Sequence, residues 1–282
     1  MLLCFTDLDG TLLNHDDYRY DGAIATIQKL QNLGIPVMPT TSKTKAEVIE
    51  LRAALGLNDP FVVENGSGIF LEPEDTRFDF SALLESESLT LTEIDGLQTV
   101  TLGVTYDAAR QGLQHLSESV GASLQGFGDL SLAALGELTA LPEKDLQQAC
   151  DRQFSEPFVK PDITIEKMAA IAQTQNLQIL EGNRFCHLLG AGAAKGRAVK
   201  LLTKAWQQTH ENSAVKTVGL GDSPNDLSML EAVDFPIVIP GVNGPHLELI
   251  SYIEKYGWQV APDTGCKGWA KMVEQVLESS LP

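Results

Sequence analysis

The chain has 282 residues, 43% hydrophobic and 21% charged, with a formal net charge of -18. This length suits two domains and a core that needs no covalent staple. The acidic balance argues against a general affinity for nucleic acid, which rests on Lys and Arg neutralising phosphates. An anionic small substrate stays open, because a metal ion and a few lysines can reverse the field locally.

In chain order, Leu2 to Thr6 reads as a buried strand, Gly22 to Leu33 as an amphipathic helix stopped by Gly34, and Ile35 to Met38 as a second strand. A helix over Lys45 to Leu55 ends at Gly56, and Phe61 to Val63 reads as a third strand. Strand, helix, strand at this spacing implies right-handed βαβ units and a parallel sheet. From about Ser81 to Leu189 the texture changes towards Ser, Gln, Leu and Glu. Strands are expected there at Thr99 to Val104, Pro157 to Val159, Gln178 to Leu180 and Phe185 to Leu189, with helices near Ala108 to Ser119, Glu143 to Arg152 and Ile165 to Thr174. The βα alternation then returns. Gly196 to Gln207, Pro224 to Glu231, His246 to Lys255 and Lys267 to Leu277 read as helices; Val215 to Leu220, Phe235 to Ile239 and Gln259-Val260 read as strands. The expected fold is α/β: a doubly wound, Rossmann-like parallel-sheet core over 1–80 and 190–282, interrupted by an α+β domain over 81–189. Ligands of such sheets bind at the carboxyl ends of the strands.

The motifs fall at those ends. Asp7-Leu8-Asp9-Gly10-Thr11 follows the first strand. One of two carboxylates spaced this way can attack as a nucleophile and form an aspartyl-phosphate. The other can protonate the leaving oxygen and later deprotonate water. Gly10 permits the sharp turn. Taken alone, the segment would also fit solvated acids in a strand-to-turn stretch. Gly221-Asp222-Ser223-Pro224-Asn225-Asp226 follows the strand at 215–220. Asp222 with Asp7 can complete an all-oxygen Mg²⁺ site, and Asp226 can orient a metal-bound water; simple helix capping by Asp222 or Ser223 is the compatible alternative. Thr41, Ser42 and Lys43 after the second strand can hold phosphate oxygens. Lys195, opening the helix after the insert, can neutralise the nucleophile and the phosphoryl group. Neither signal is specific alone. Gly190-x-Gly192 lacks the third glycine of a dinucleotide fingerprint, and there is no GxxxxGK[ST]. Four scattered cysteines without a CxxC pair and an N-terminus without a basic n-region or long apolar run lead us to expect a reduced, cytoplasmic protein.

Jointly, Asp7/Asp9, Thr41, Lys195 and Asp222/Asp226 resemble the four motifs of the haloacid dehalogenase phosphatases. The insert is similar to their C2-type cap domain, and Val63-Glu64-Asn65-Gly66 looks like a loop of the sugar-phosphatase branch. Thr41-Ser42-Lys43-Thr44, Phe154-Ser155-Glu156-Pro157-Phe158, Gly182-Asn183-Arg184-Phe185-Cys186-His187 and Gly265-Cys266-Lys267-Gly268-Trp269 resemble stretches of the mannosyl-3-phosphoglycerate phosphatases. The resemblance implies a Mg²⁺-dependent phosphomonoester hydrolase with Asp7, Asp9, Thr41 and Lys195 as catalytic residues. It implies metal ligation by Asp7, Asp9, Asp222 and Asp226, and substrate contacts from Ser42, Lys43, Asn65, Gly66, Glu156, Arg184 and His187. The partner is then a phosphorylated sugar-glycerate, with no nucleic acid or membrane. Glucosyl-3-phosphoglycerate or another sugar phosphate is the chemical alternative. A phosphomutase, a non-catalytic phospho-switch and a sugar-binding module are the other classes; multiple turnovers of phosphate release separate them from a phosphatase.

Overall fold

Every residue of β1 (Leu2–Thr6) is buried, as a central parallel strand covered on both faces must be. Strand alternation divides its side chains. Leu2 and Cys4 join one apolar cluster with Ile27, Leu30 and Trp269, whereas Leu3 and Phe5 join another with Val199, Leu202 and Met229. The computed structural model describes residues 1–182, 185–210 and 214–280.

After β1 come α1 (Ile24–Asn32), β2 (Val37–Pro39), α2 (Lys45–Leu55), β3 (Phe61–Val63), β4 (Gly68–Leu71), α3 (Ser81–Ser86), β5 (Thr90–Ile94) and β6 (Leu97–Thr101). Then follow α4 (Tyr106–Val120), α5 (Leu132–Thr139), α6 (Glu143–Cys150), β7 (Ser155–Val159), α7 (Ile165–Gln173), β8 (Leu177–Glu181) and β9 (Phe185–Gly190). The chain returns through α8 (Lys195–Thr209), β10 (Lys216–Gly221), α9 (Leu227–Leu230), β11 (Phe235–Val238), α10 (Leu247–Tyr256), β12 (Gln259–Val260) and α11 (Gly265–Ser280). The parallel sheet has the order β12-β11-β10-β1-β2. A parallel bridge between Thr40 and Val62 carries it on to β3, the edge of an antiparallel sheet ordered β3-β4-β6-β5. The α/β, doubly wound core is as expected. Helix α2 shows how locally the elements are specified: Thr44 and Glu47 form a reciprocal capping box, and Gly56 closes the helix in the left-handed region.

The insert carries a three-stranded antiparallel sheet, β7-β9-β8. Cys186, Leu188 and Phe158 face α4 and α7, while Phe185 turns the other way onto Phe127, Leu135 and Leu146. Strand pairing bears on where it starts. Strand β6 pairs with β4, and β5 with β6, so 90–101 extend the core side and do not enter the insert sheet. The cause is a hairpin at Asp95-Gly96, both at positive φ (48° and 79°), the two-residue turn that suits twisted antiparallel strands. It also sets β6 at Leu97–Thr101, earlier than the expected 99–104. We therefore propose an insert of about 103–190, in place of 81–189.

Candidate active site

The turn after β1 is tied to β10 by the Asp7 N–H, which donates to the Leu220 carbonyl at 2.9 Å. Below it the Trp269 indole N–H donates to Thr6 Oγ1 at 3.0 Å, and that hydroxyl donates to the Asp7 carbonyl at 2.7 Å. This buried strut fixes the backbone at the Asp7 position. Gly10 has φ +78°, and a Cβ there would lie 2.6 Å from Asp222 Oδ2. Both the backbone conformation and the close approach therefore require glycine.

Asp7 is 5% exposed and meets Lys195 Nζ at 2.7 Å. Lys195, the first residue of α8, is 1% exposed and also reaches Asp226 Oδ1 at 2.6 Å. The second oxygen of Asp226 accepts from the backbone N–H groups of Asp222 (3.0 Å) and Ser223 (3.1 Å). Asp226 thus shapes its own loop and anchors the lysine, which leaves Asp222 freer to face outward. Carboxylate oxygens of Asp7, Asp222 and Asp226 lie within 4.8 Å of one another. Three acids around one ammonium leave an excess of negative charge. Burial pushes the Asp7 carboxyl up to about 7, with Lys195 opposing and Asp226 adding to the rise. Burial also raises Asp222 well above the usual carboxylate range, helped by Asp226 and Asp7. Hard oxygen donors with surplus negative charge fit a divalent cation such as Mg²⁺.

That charge balance predicts a pH-dependent metal effect. Burial thus sets the Asp7 carboxyl to titrate at about 7 in the folded apo-protein, above its ordinary 3.8 when unfolded. Between these values the folded state binds more protons, so this group's contribution to stability falls as pH rises. A cation must displace that proton. The rise in Tm on adding Mg²⁺ to chelator-treated protein should therefore be larger at pH 8 than at pH 5.5. An equal rise at both pH values, in differential scanning fluorimetry with matched salt, would count against metal binding at Asp7.

Asp9 stands on the other side of the turn, 41% exposed, with Oδ2 at 3.1 Å from Lys43 Nζ. Its Oδ1 is screened from solvent and lacks a hydrogen-bond partner among the described residues. Lys43 also pairs with Glu47 at 3.2 Å and lies 5.6 Å from the Tyr18 ring centre. Thr41 is 1% exposed, its N–H donates to the Val62 carbonyl at 3.0 Å, and its hydroxyl accepts from the Lys43 N–H at 3.2 Å. Ser42 presents its carbonyl to Arg152 at 3.1 Å. Asn65 accepts from the Asn225 side chain at 3.1 Å, which links the loop after β3 to the Asp222–Asp226 loop. Gly66, at φ +88°, packs where a Cβ would come 2.1 Å from Ala194. A cavity of about 400 Å³ opens from Asp9 and Lys43 past Tyr18 and Tyr20 to Gln148 of α6.

The insert residues divide. Glu156 is fully buried, and one of its oxygens accepts from Arg110 Nη1 and the Gly128 N–H, both at 2.9 Å. These partners all belong to the insert; the structure does not bring Glu156 to the Asp7 cluster. Burial and then Arg152 lower the His187 pKa to about 3, and its Nδ1 lacks a hydrogen-bond partner among the described residues. Arg184 lies outside the described residues. Glu47 and Arg152 border this site although nothing in their sequence context singled them out; Glu64 and Trp269 stand behind it, in stretches quoted above only for their resemblance.

The description "haloacid dehalogenase-like hydrolase" belongs to a family whose model matches residues 4–91 and 143–240. A glucosyl-3-phosphoglycerate/mannosyl-3-phosphoglycerate phosphatase of Persephonella marina is 36% identical over 277 residues, covering 98% of this chain and 97% of its own. One of the same description from Methanococcoides burtonii is 34% identical over 246 residues, 86% of each chain. The solved sucrose-phosphatase of Synechocystis superposes with a TM-score of 0.57 over 98% of this chain and 97% of its own, at 18% identity, a likeness of fold.

Proposed function

Since this chain belongs to the haloacid dehalogenase-like hydrolases, we propose that it is a Mg²⁺-dependent phosphoric monoester hydrolase acting through an aspartyl-phosphate on Asp7. The single observation that carries this is the buried Lys195, bridging Asp7 at 2.7 Å and Asp226 at 2.6 Å, beside Asp222 at the ends of β1 and β10. A phosphate monoester carries the negative charge that such a lysine and a cation would receive. Asp7 and Asp222 would hold the Mg²⁺, with Asp226 behind them and Asp9 across the turn; Asp9 would also serve as the proton donor and acceptor. When bound, the ion neutralises the transferring group.

The steps follow from the residues. The free Asp7 oxygen attacks phosphorus, the bond from phosphorus to the leaving oxygen breaks, and Asp9 gives that oxygen its proton. Asp9, now a carboxylate, takes a proton from water as the water oxygen attacks the phosphoryl group. The phosphorus–Asp7 bond breaks and orthophosphate leaves. Lys195 stabilises the charge on Asp7 and on the phosphoryl oxygens, and Thr41 offers a hydroxyl at the phosphate. Ser42, Lys43, Asn65, Gly66, His187 and Arg184 are the further substrate contacts in this reading, supported for Lys43 by its place on the cavity beside Asp9. Glu156 stays in the proposed set: one of its oxygens pairs with Arg110, and the other is buried without a hydrogen-bond partner among the described residues.

For the substrate we infer mannosyl-3-phosphoglycerate, giving mannosylglycerate, with the glucosyl ester as the alternative; the names of the two relatives support both. The partner is then a small molecule. Four free cysteines support a cytoplasmic setting, and no helix among the described residues is long and apolar enough to cross a membrane. The test is phosphate release in Mg²⁺ from mannosyl- and glucosyl-3-phosphoglycerate, sucrose phosphate, hexose phosphates and nucleotides. The two phosphoglycerates should exceed the others in kcat/KM by at least about 10-fold. Equal rates across the panel would remove the substrate assignment, and isomerised sugar phosphate without free phosphate would identify a mutase.

A further inference from the structure

Three consecutive residues after β3, Glu64, Asn65 and Gly66, have left-handed φ values of 48°, 59° and 88°. Two of them are not glycine, and such backbone persists only where surrounding contacts over-determine it. The contacts here come from four directions. The Glu64 N–H donates to the Lys43 carbonyl and the Asn65 N–H to the Thr41 carbonyl, both at 2.9 Å. Asn65 receives Asn225 from the loop after β10, and Gly66 packs on the backbone of Ala194 and Lys195. The fourth direction is the insert, and it is met by a completely buried carboxylate. Glu64 accepts from the N–H groups of Gln153 (2.8 Å) and Phe154 (3.2 Å) and from the Ser155 hydroxyl (2.6 Å). Arg152 Nε stands 3.5 Å from the same carboxylate, and Arg152 Nη2 donates to the Ser42 carbonyl at 3.1 Å.

We propose that Glu64 and Arg152 are positioning residues that seat the insert on the core, and that they make turnover of large esters depend on this seat. The proposal rests on the phosphatase reading above. The other polar links between the two parts include one neutral hydrogen bond, from the buried Thr44 hydroxyl to the Gln148 carbonyl at 2.8 Å, and the charged links of Lys144 and Gln148 to Glu50 at 2.6 and 2.7 Å, whose charged groups are more than half exposed. Exposed pairs fix little. The Glu64 node is buried, and its acceptors are aimed at one short stretch, 152–155, where the chain passes from α6 into β7. A hydrophobic contact could hold the two parts together as firmly, but it would not set their register. The same elbow carries Asn65 and borders Thr41 and Lys195, so the position of the insert and the mouth of the site are set at one joint. A small ester needs only the core groups; a long one must also fit between core and insert.

The test uses the full chain carrying Glu64→Gln, with kcat and KM measured on p-nitrophenyl phosphate and on whichever glycosyl-3-phosphoglycerate the unmodified chain hydrolyses. KM for the glycosyl ester should rise at least about 10-fold, while kcat/KM for the small ester stays within about twofold. Amide hydrogen exchange at Gln153 and Phe154 should quicken, with that of β1 unchanged. Equal losses on both esters, or unchanged exchange at 153–154, would overturn the proposal. Should Glu64→Gln not fold, Ser155→Ala removes one donor to the same carboxylate. It should shift the glycosyl ester alone, and an equal effect on both esters would overturn the idea. If the unmodified chain releases phosphate from no ester, the phosphatase reading fails; the exchange arm then decides the joint by itself.

Discussion

Asp7→Asn should abolish phosphate release, by at least about 10⁴-fold, the scale of losing a covalent nucleophile. The amide is nearly isosteric, so the turn tied to Leu220 and the Thr6–Trp269 strut should survive. What disappears is the attacking oxygen and, above about pH 7, one negative charge from a crowded group of three acids. Lys195 keeps Asp226 at 2.6 Å. The variant should therefore be no less stable than the parent in chelator, and its Tm should hold or rise, while no acid-stable phosphoprotein can be trapped after mixing with substrate. That divergence of stability and activity marks a group that works against the fold locally. Intact-mass analysis must exclude deamidation back to Asp. An Asp7→Asn protein free of such deamidation that still turned over normally would end the assignment of Asp7 as nucleophile.

Asp9→Asn should lower kcat by about 10²–10⁴-fold, the range for a lost general acid–base. Its signature is different. With p-nitrophenyl phosphate the leaving group departs readily without a proton, so the first step should suffer little. The second step still lacks a base for water. Phosphoprotein should therefore accumulate in Asp9→Asn and be recoverable by acid quench, whereas the parent shows a burst too small to collect. With a poor alkoxide leaving group, formation itself should be slow. Lys43 loses a partner at 3.1 Å but keeps Glu47 at 3.2 Å, so the loop should stay in place. Loss of activity with no phosphoprotein from the aryl ester would mean that Asp9 does not serve the hydrolytic step.

Much of the core was readable because its signals are local. A short apolar run closed by Thr6 and followed by two acids and a glycine defines β1 and the turn after it. The capping box at Thr44 and Glu47 and the glycine at 56 bracket α2 in the sequence itself. Strand β4 went unread because Gly68 opens it and it lacks alternation, being buried throughout. The β5–β6 hairpin went unread because charged and hydroxyl residues dilute it, although Asp95-Gly96 is a turn signal in plain view. At the site, Lys195 could be named from its place before a helix, but not its partners, which lie 188 and 31 residues away. The orientation of Glu156 could not be read from its motif. It alternates with Ser155 and Pro157 along β7, and its side chain takes the face that packs on α4, away from the core. Glu64 and Arg152 are two charges among 58, and only the fold brings them together.

The order of strands in the parallel sheet also has a consequence for how the molecule is made. Strand β1 lies between β2 and β10, and its partner residues on β10 are 216–220. On the ribosome β1 emerges some 210 residues before β10, and one of its edges stays open for that interval. The insert, contiguous in sequence, can close its own three strands in the meantime. We expect nascent chains to pass through a stage with a folded insert beside an unfinished core, whose bare β1 edge invites wrong pairing. Such non-local closure folds slowly. Chaperone dependence should accordingly fall sharply once residue 221 has cleared the exit tunnel.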